Sequence, residues 1–271
     1  IQAYEGEHYE LRNTIIKADS FFFTDTIVID KNVLISHCKY DHTRLISIEN
    51  IHFKQNLVIF NVEDFGAFFK NCTFDGFVRW DFSHAPNAVF INCNFFNHFN
   101  FFHTSGILQF INCDFSFNST NKESYYKQLS VFPWNKTLNK LTILNTKFRS
   151  ETDTSIVSIQ GDINNINITG SNFQSQLSLY NCSINQSITV EKTHFELPVA
   201  FNKTIIPEIE TSFQFDQLSG YKIALMGASN AELYTAMGDE QLADSCLYKF
   251  NVLISVYSKL FISYNARSDR V

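Results

Sequence analysis

The chain repeats a short pattern in which a small and a large apolar residue flank one polar residue. The pattern reads Asn-Cys-x-Phe at 71–74, at 92–95 and at 112–115. In an extended strand, residues two apart share a face, so the Cys and the Phe point one way and the polar residue points the other way. Cys and Phe are both commonly buried. Each copy therefore predicts a short strand with an inward face of Cys and Phe.

The spacing of the copies predicts a solenoid. They begin 21 and then 20 residues apart, which is the period of a coil that makes one turn of chain per repeat. Neighbouring strands lie about 4.8 Å apart, so equivalent residues of successive coils stack into columns inside the coil. The predicted core ladder consists of Cys72, Cys93, Cys113, Phe74, Phe95 and Phe115.

Large apolar residues continue this rhythm on both sides of the three copies. After the third copy, the polar stretch 116–140 interrupts a coil and is expected to bulge from the side of the rod. It carries three candidate interaction residues, Tyr125, Tyr126 and Trp134. The residues that continue the rhythm are Phe53, Phe69, Phe90, Phe110, Phe148, Phe173 and Phe195.

Inward Phe residues at five-residue spacing, with Cys two positions before the Phe of each Asn-Cys-x-Phe copy, resemble the pentapeptide-repeat proteins. The resemblance covers roughly residues 40–200 and implies a right-handed quadrilateral β-helix. A more general right-handed parallel β-helix is the alternative. Some proteins of that family mimic duplex DNA and bind topoisomerases, a role that needs a strongly acidic stripe, whereas the net charge here is −6.

The two ends of the chain lack the rhythm. Residues 1–14 are expected to form an N-terminal cap, 15–222 the parallel β-helix, and 223–271 a C-terminal helical cap. Leu253, Tyr257 and Leu260 lie on an apolar stripe of helical period in this last segment. We expect the stripe to support self-association or to bind a protein partner. Contact with a membrane surface is the less favoured interpretation.

Composition and charge exclude several functional classes. The chain has 29 Phe, a pI near 5.7 and no run of basic residues, so no nucleic-acid partner is expected. No CxxC, HExxH or nucleotide-binding glycine motif occurs, so neither a cofactor nor a metal is expected. His84, His98 and His103 come from neighbouring coils near Arg79 and Asp81, but without a ligand spacing we expect surface or corner residues rather than a metal or acid–base site.

Six cysteines and seven N-x-S/T sequons point to different compartments. Stacked free thiols favour a reducing, cytoplasmic environment. The sequons, together with a first residue that is Ile1 rather than Met, favour a secreted or cell-surface protein. Asn118, Asn135 and Asn202 are the candidate glycosylation sites.

The function expected from these patterns is that of a non-enzymatic scaffold or protein-binding module on a rigid solenoid, self-assembling through its C-terminal helices. Two alternatives stay open. One is a secreted, glycosylated surface or filament protein. The other is a carbohydrate-active β-helix enzyme, which would need paired carboxylates, whereas the carboxylates of this sequence are scattered.

Overall fold

The computed structural model describes residues 8–13, 15–16, 20–21, 25–40, 46–63, 66–117, 127–150, 155–197, 199–202, 204 and 210–215. Its strands, in chain order, are β1 (His8–Arg12), β2 (Ile15–Ile16), β3 (Ser20–Phe21), β4 (Ile27–Ile29), β5 (Asn32–Ser36), β6 (Lys39–Tyr40), β7 (Ile46–Glu49), β8 (Ile51–Phe53), β9 (Leu57–Phe60), β10 (Ala67–Lys70), β11 (Thr73–Phe74), β12 (Val78–Asp81), β13 (His84–Ile91), β14 (Asn94–Phe95), β15 (Phe99–Phe102), β16 (Ser105–Ile111), β17 (Asp114–Phe117), β18 (Lys127–Phe132), β19 (Thr137–Leu144), β20 (Lys147–Ser150), β21 (Ile156–Thr169), β22 (Asn172–Phe173), β23 (Gln176–Phe195), β24 (Ala200–Asn202) and β25 (Glu210–Phe215).

These strands build a parallel β-solenoid of about seven turns, which confirms the predicted mainly-β solenoid. Each coil has three sides, and each side stacks in parallel register on the same side of the next coil. On side one, β12 pairs with β9 and with β15. On side two, β13 pairs with β10 and with β16. On side three, β14 pairs with β11 and with β17.

The core is a set of apolar columns that run along the axis of the solenoid. Phe74 and Phe95 stack with ring centroids 4.9 Å apart, and Phe95 and Phe115 with centroids 4.4 Å apart. The same column continues through Phe148 and Phe173, at 4.7 and 4.6 Å. Parallel register makes this stacking possible, because it places identical positions directly above one another.

The predicted cysteines line a second column beside these rings. Cys72 and Cys93 are fully buried and Cys113 is 2% exposed. The Sγ atoms of Cys72 and Cys113 donate to the carbonyl oxygens of Ile48 and Phe90, both at 3.4 Å. The cysteines thus fill the narrow space beside the Phe column and also satisfy backbone acceptors.

Three predicted features lie wholly or partly outside the described residues. The C-terminal helical cap at 223–271 is outside them, and so are Leu253, Tyr257 and Leu260. The predicted N-terminal cap at 1–14 contains β1, which pairs in parallel with β5. In the predicted excursion at 116–140, residues 118–126 are not described, while β18 and the start of β19 stack on the coil before them.

Candidate functional site

In five consecutive coils the corner between sides two and three is an asparagine, and we call these five residues the asparagine corner; Gly170 and Lys192 occupy the same corner in the next two coils. Its members have a positive φ, a left-handed conformation that Asn tolerates better than most residues. The side-chain amides are joined from coil to coil by Nδ2–Oδ1 hydrogen bonds of 3.2 to 3.3 Å. This ladder explains the Asn of the Asn-Cys-x-Phe repeat. Its members are Asn50, Asn71, Asn92, Asn112 and Asn145.

The corner between sides one and two has the same backbone conformation, and it mixes Asn13, Asn61, Gly161 and Asn181 with bulkier residues. Phe82, His103 and Trp134 have φ values of 50°, 48° and 52°, and His37 has 52°. We call these four residues the aromatic corner; Asn61, with φ 49°, occupies the coil between His37 and Phe82. A left-handed conformation costs a bulky L-residue about 1–2 kcal/mol. The chain therefore accepts strain at this corner that the asparagine corner avoids.

The rings of the aromatic corner contact one another along the rod. Phe82 and His103 stack nearly parallel, with centroids 4.1 Å apart and an interplanar angle of 7°. His103 and Trp134 follow at 5.7 Å. Phe82 is 48% exposed and Trp134 is 52% exposed. The result is an exposed aromatic ridge that spans three consecutive coils.

Aromatic residues of side one widen this ridge. Phe60 contacts Phe82 edge-on at 5.7 Å, and Phe132 contacts Trp134 edge-on at 4.9 Å. Tyr180, further along the same side, is 42% exposed. Large exposed apolar patches on soluble proteins are often interaction sites, so the ridge is the candidate site of this chain.

A buried carboxylate lies directly beneath the ridge. Asp81 is fully buried and accepts a hydrogen bond from Arg79 Nε at 3.0 Å. Its other oxygen, Oδ1, lies 2.8 Å from Nδ1 of His103. A carboxylate taken out of water needs such partners. Because Asp81 holds Nδ1, the His103 ring is fixed in the orientation in which it stacks on Phe82.

A depression lies at each end of the ridge. The first has a volume of about 180 Å³ and is lined by Arg12, Leu34, His37, Val58, Phe60 and Arg79 among others. The second has a volume of about 350 Å³ and is lined by Phe132, Trp134, Asn135, Gly161, Asp162 and Asn181 among others. The ridge and the two depressions form one continuous surface along the aromatic corner.

The histidines that the sequence grouped together occupy different places. His103 belongs to the aromatic corner. His98 lies on the turn from side three to side one, where it stacks on Phe77 at 5.2 Å, and burial lowers the pKa of its imidazole. The side chain of His84 lies outside the described ones. Among the described residues, no three His, Cys, Asp or Glu side chains are grouped so that they could hold a metal ion.

The buried thiols differ in acidity. Burial raises the pKa of the Cys93 thiol well above its usual value and that of Cys182, which lies outside the column of Cys72, Cys93 and Cys113, to about 12. A hydrogen bond with Cys93 lowers the pKa of the Cys72 thiol. The thiolate is the reactive form of cysteine, so Cys93 and Cys182 are protonated and inert at neutral pH. All five cysteines in the described part of the chain are buried free thiols.

Of the other predicted site residues, only Trp134 and Asn135 have described side chains, and both lie on the turn that ends the ridge. Tyr125, Tyr126 and Asn118 lie outside the described residues, and the side chain of Asn202, in β24, is not described. Sequence reasoning placed His103 among surface or corner residues of the solenoid but missed Phe82 as a member of the same corner. A signal was present, since Asn61, Phe82 and His103 follow one another at the 21-residue period.

Within the described ranges, no helix has the length and the apolar character needed to cross a membrane. Comparison of the chain with known protein families, with curated proteins and with solved structures found no match.

Proposed function

We propose that this chain is a non-enzymatic protein-binding module, in which a rigid β-solenoid presents the aromatic corner to a partner protein. The observation that carries the proposal is the left-handed backbone at Phe82, His103 and Trp134. Strained backbone of this kind persists at sites where it serves function. The asparagine corner of the same coils shows that the fold has a less strained solution available.

The chemistry of the ridge favours a protein partner. Trp, Tyr and Arg dominate the residues that carry binding energy in protein interfaces, and Trp134, Tyr180 and Arg79 lie on or beside this surface. Phe82 and His103 cover each other's ring faces, which leaves the ring edges toward solvent. At Phe82 and His103 the ridge therefore presents ring edges, which fit an apolar groove on a protein better than they fit the flat face of a sugar ring.

The buried carboxylate also favours binding over catalysis. Glycoside hydrolysis needs two carboxyl groups that flank a scissile bond. Asp81 is fully buried and engaged by Arg79 and His103, so it supports the ridge from below. The right-handed, pentapeptide-repeat form of the solenoid and self-assembly through Leu253, Tyr257 and Leu260 belong to the same proposal and stay predictions.

The test replaces two residues of the ridge with asparagine, the residue that forms the asparagine corner. The double variant Phe82→Asn and Trp134→Asn puts residues that tolerate a left-handed backbone at both positions. We expect proteins retained by the immobilised wild-type chain in extracts of its native source to be retained at least about tenfold less by this variant. Quantitative mass spectrometry of the retained proteins measures the change.

The matched control is Phe96→Asn, because Phe96 is 41% exposed and lies away from the aromatic corner. This variant should retain the same proteins as the wild type. Thermal unfolding of all three chains checks that the solenoid is intact. A double variant that is folded and retains the same partners at the wild-type level would exclude the aromatic corner as the binding surface.

A further inference from the structure

The sequons of the chain differ in what their asparagine side chains do in the folded protein. An N-glycan bonds to Nδ2, which must then be accessible to solvent and released from other hydrogen bonds. Transfer of the glycan to the chain can precede folding, so the fold decides which glycans the folded protein can carry. The sequon asparagines whose side chains are described are Asn71, Asn135, Asn167, Asn181 and Asn185.

Two of these side chains are locked into ladders. Asn71 donates from Nδ2 to Asn50 at 3.3 Å and accepts from Asn92 at 3.2 Å. Asn185 donates from Nδ2 to Oδ1 of Asn164 at 3.2 Å. A glycan on either Nδ2 would occupy the space of the neighbouring rung and break the ladder.

In two more sequons, the hydroxyl group of the Thr or Ser donates a hydrogen bond to an asparagine side chain. The Thr169 hydroxyl donates to Oδ1 of Asn167 at 2.7 Å, on the half-buried middle of side two. In the sequon of Asn181, the Ser183 hydroxyl lies 3.4 Å from Oδ1 of Asn185 and takes part in that ladder.

Among these sequons, only that of Asn135 has neither its asparagine side chain nor its hydroxyl group, that of Thr137, in a hydrogen bond within the described residues. Asn135 lies at the tip of a tight turn in which the Lys136 amide donates to the Pro133 carbonyl at 3.2 Å. Nζ of Lys136 donates to the Ser83 carbonyl at 3.1 Å, which anchors the turn to an earlier coil. Asn135 itself is exposed, and within the described residues its side chain makes no hydrogen bond.

We propose that Asn135 is an N-glycosylation site of the folded solenoid. In the transfer, Nδ2 of Asn135 loses a proton and bonds to the anomeric carbon of an oligosaccharide. The bond from that carbon to a lipid diphosphate carrier breaks, and the carrier leaves with the electron pair. The glycan stands beside Trp134 at the edge of the second depression and leaves Phe82 and His103, on earlier coils, open. This inference does not rest on the proposed protein-binding function.

The test produces the chain with a secretion leader in eukaryotic cells and separates the folded, secreted fraction. Enzymatic deglycosylation in heavy-oxygen water labels every asparagine that carried a glycan, and peptide mass spectrometry locates the label. We expect label at Asn135 and none at Asn71, Asn167 or Asn185 in the secreted fraction. Retained protein is analysed in the same way, so a chain that is not secreted still reports on Asn135.

Three variants separate the site from its surroundings. Asn135→Gln and Thr137→Ala each destroy the sequon and should each remove the glycan at this turn, while Lys136→Gln keeps the sequon and should keep the glycan. An unlabelled Asn135 in both fractions would overturn the proposal. Label at Asn71 or Asn185 in folded, secreted protein would overturn the premise that a sequon asparagine held in a hydrogen-bond ladder carries no glycan.

Discussion

At the scale of single residues, Phe95 is the centre of the aromatic core. It is 1% exposed and stacks between Phe74 and Phe115. Three further rings, Phe90, Phe99 and Phe110, meet it edge-on at 5.6, 5.7 and 5.9 Å. Stacked and edge-on pairs are the favoured geometries of aromatic rings, so Phe95 contacts each of these neighbouring rings in a favourable geometry.

Truncation of this ring should be costly. We expect Phe95→Ala to lower the free energy of unfolding by about 3–5 kcal/mol, because it removes a fully buried ring and leaves a cavity in a parallel-stacked column. Urea denaturation measures the loss. The control is the neighbouring Phe96→Ala, which changes a 41% exposed ring and should cost less than about 1 kcal/mol. Similar losses for the two variants would contradict the column as the main source of stability.

Asp81 is the second residue whose environment makes a sharp prediction. Asp81→Asn keeps the shape of the side chain but removes the charge that Arg79 and His103 share. Arg79 is 43% exposed and can turn to water, so we expect a loss of about 2 kcal/mol rather than the larger cost of stranding a buried charge. Asp75→Asn is the control, since Asp75 is 41% exposed in its pair with His52 and should contribute under about 1 kcal/mol. Equal effects in urea denaturation would exclude a special role for Asp81.

At the scale of the structural element, the asparagine corner combines backbone tolerance with a hydrogen-bond ladder. Asn92 has φ 52°, donates to Asn71 and accepts from Asn112. We expect Asn92→Ala to destabilise the solenoid by about 1–3 kcal/mol, because it loses two ladder bonds and places Ala in a left-handed conformation.

A second substitution at the same position separates these two contributions. Asn92→Gly removes the ladder bonds but suits the backbone, so it should be more stable than the alanine variant by about 1 kcal/mol. Thermal and urea unfolding of the two variants give the difference. Identical stabilities would mean that the left-handed backbone carries no cost at this corner.

At the scale of the whole molecule, the sequence predicts the coil better than it predicts the corners. The coil is predictable because burial demands repetition: Cys72, Cys93 and Cys113 must recur at the period of one turn to share a column. A positive φ is harder to recognise in the sequence, because Phe82 and Trp134 are residues that ordinarily avoid the left-handed region. The Asn of the repeat was visible in the sequence, but its role depends on bonds between coils that only the register reveals.

The parallel register of neighbouring coils has a consequence for how such a protein changes in size. Ala67 pairs with Ala88, and Ala88 pairs with Leu108, at equivalent positions of successive coils. A segment of one full period can therefore be duplicated or lost while the coils on either side of the change still meet at equivalent positions. The distance between the two depressions then changes in whole steps of about 4.8 Å. The length of this surface can therefore change through the number of coils, without any change within a coil.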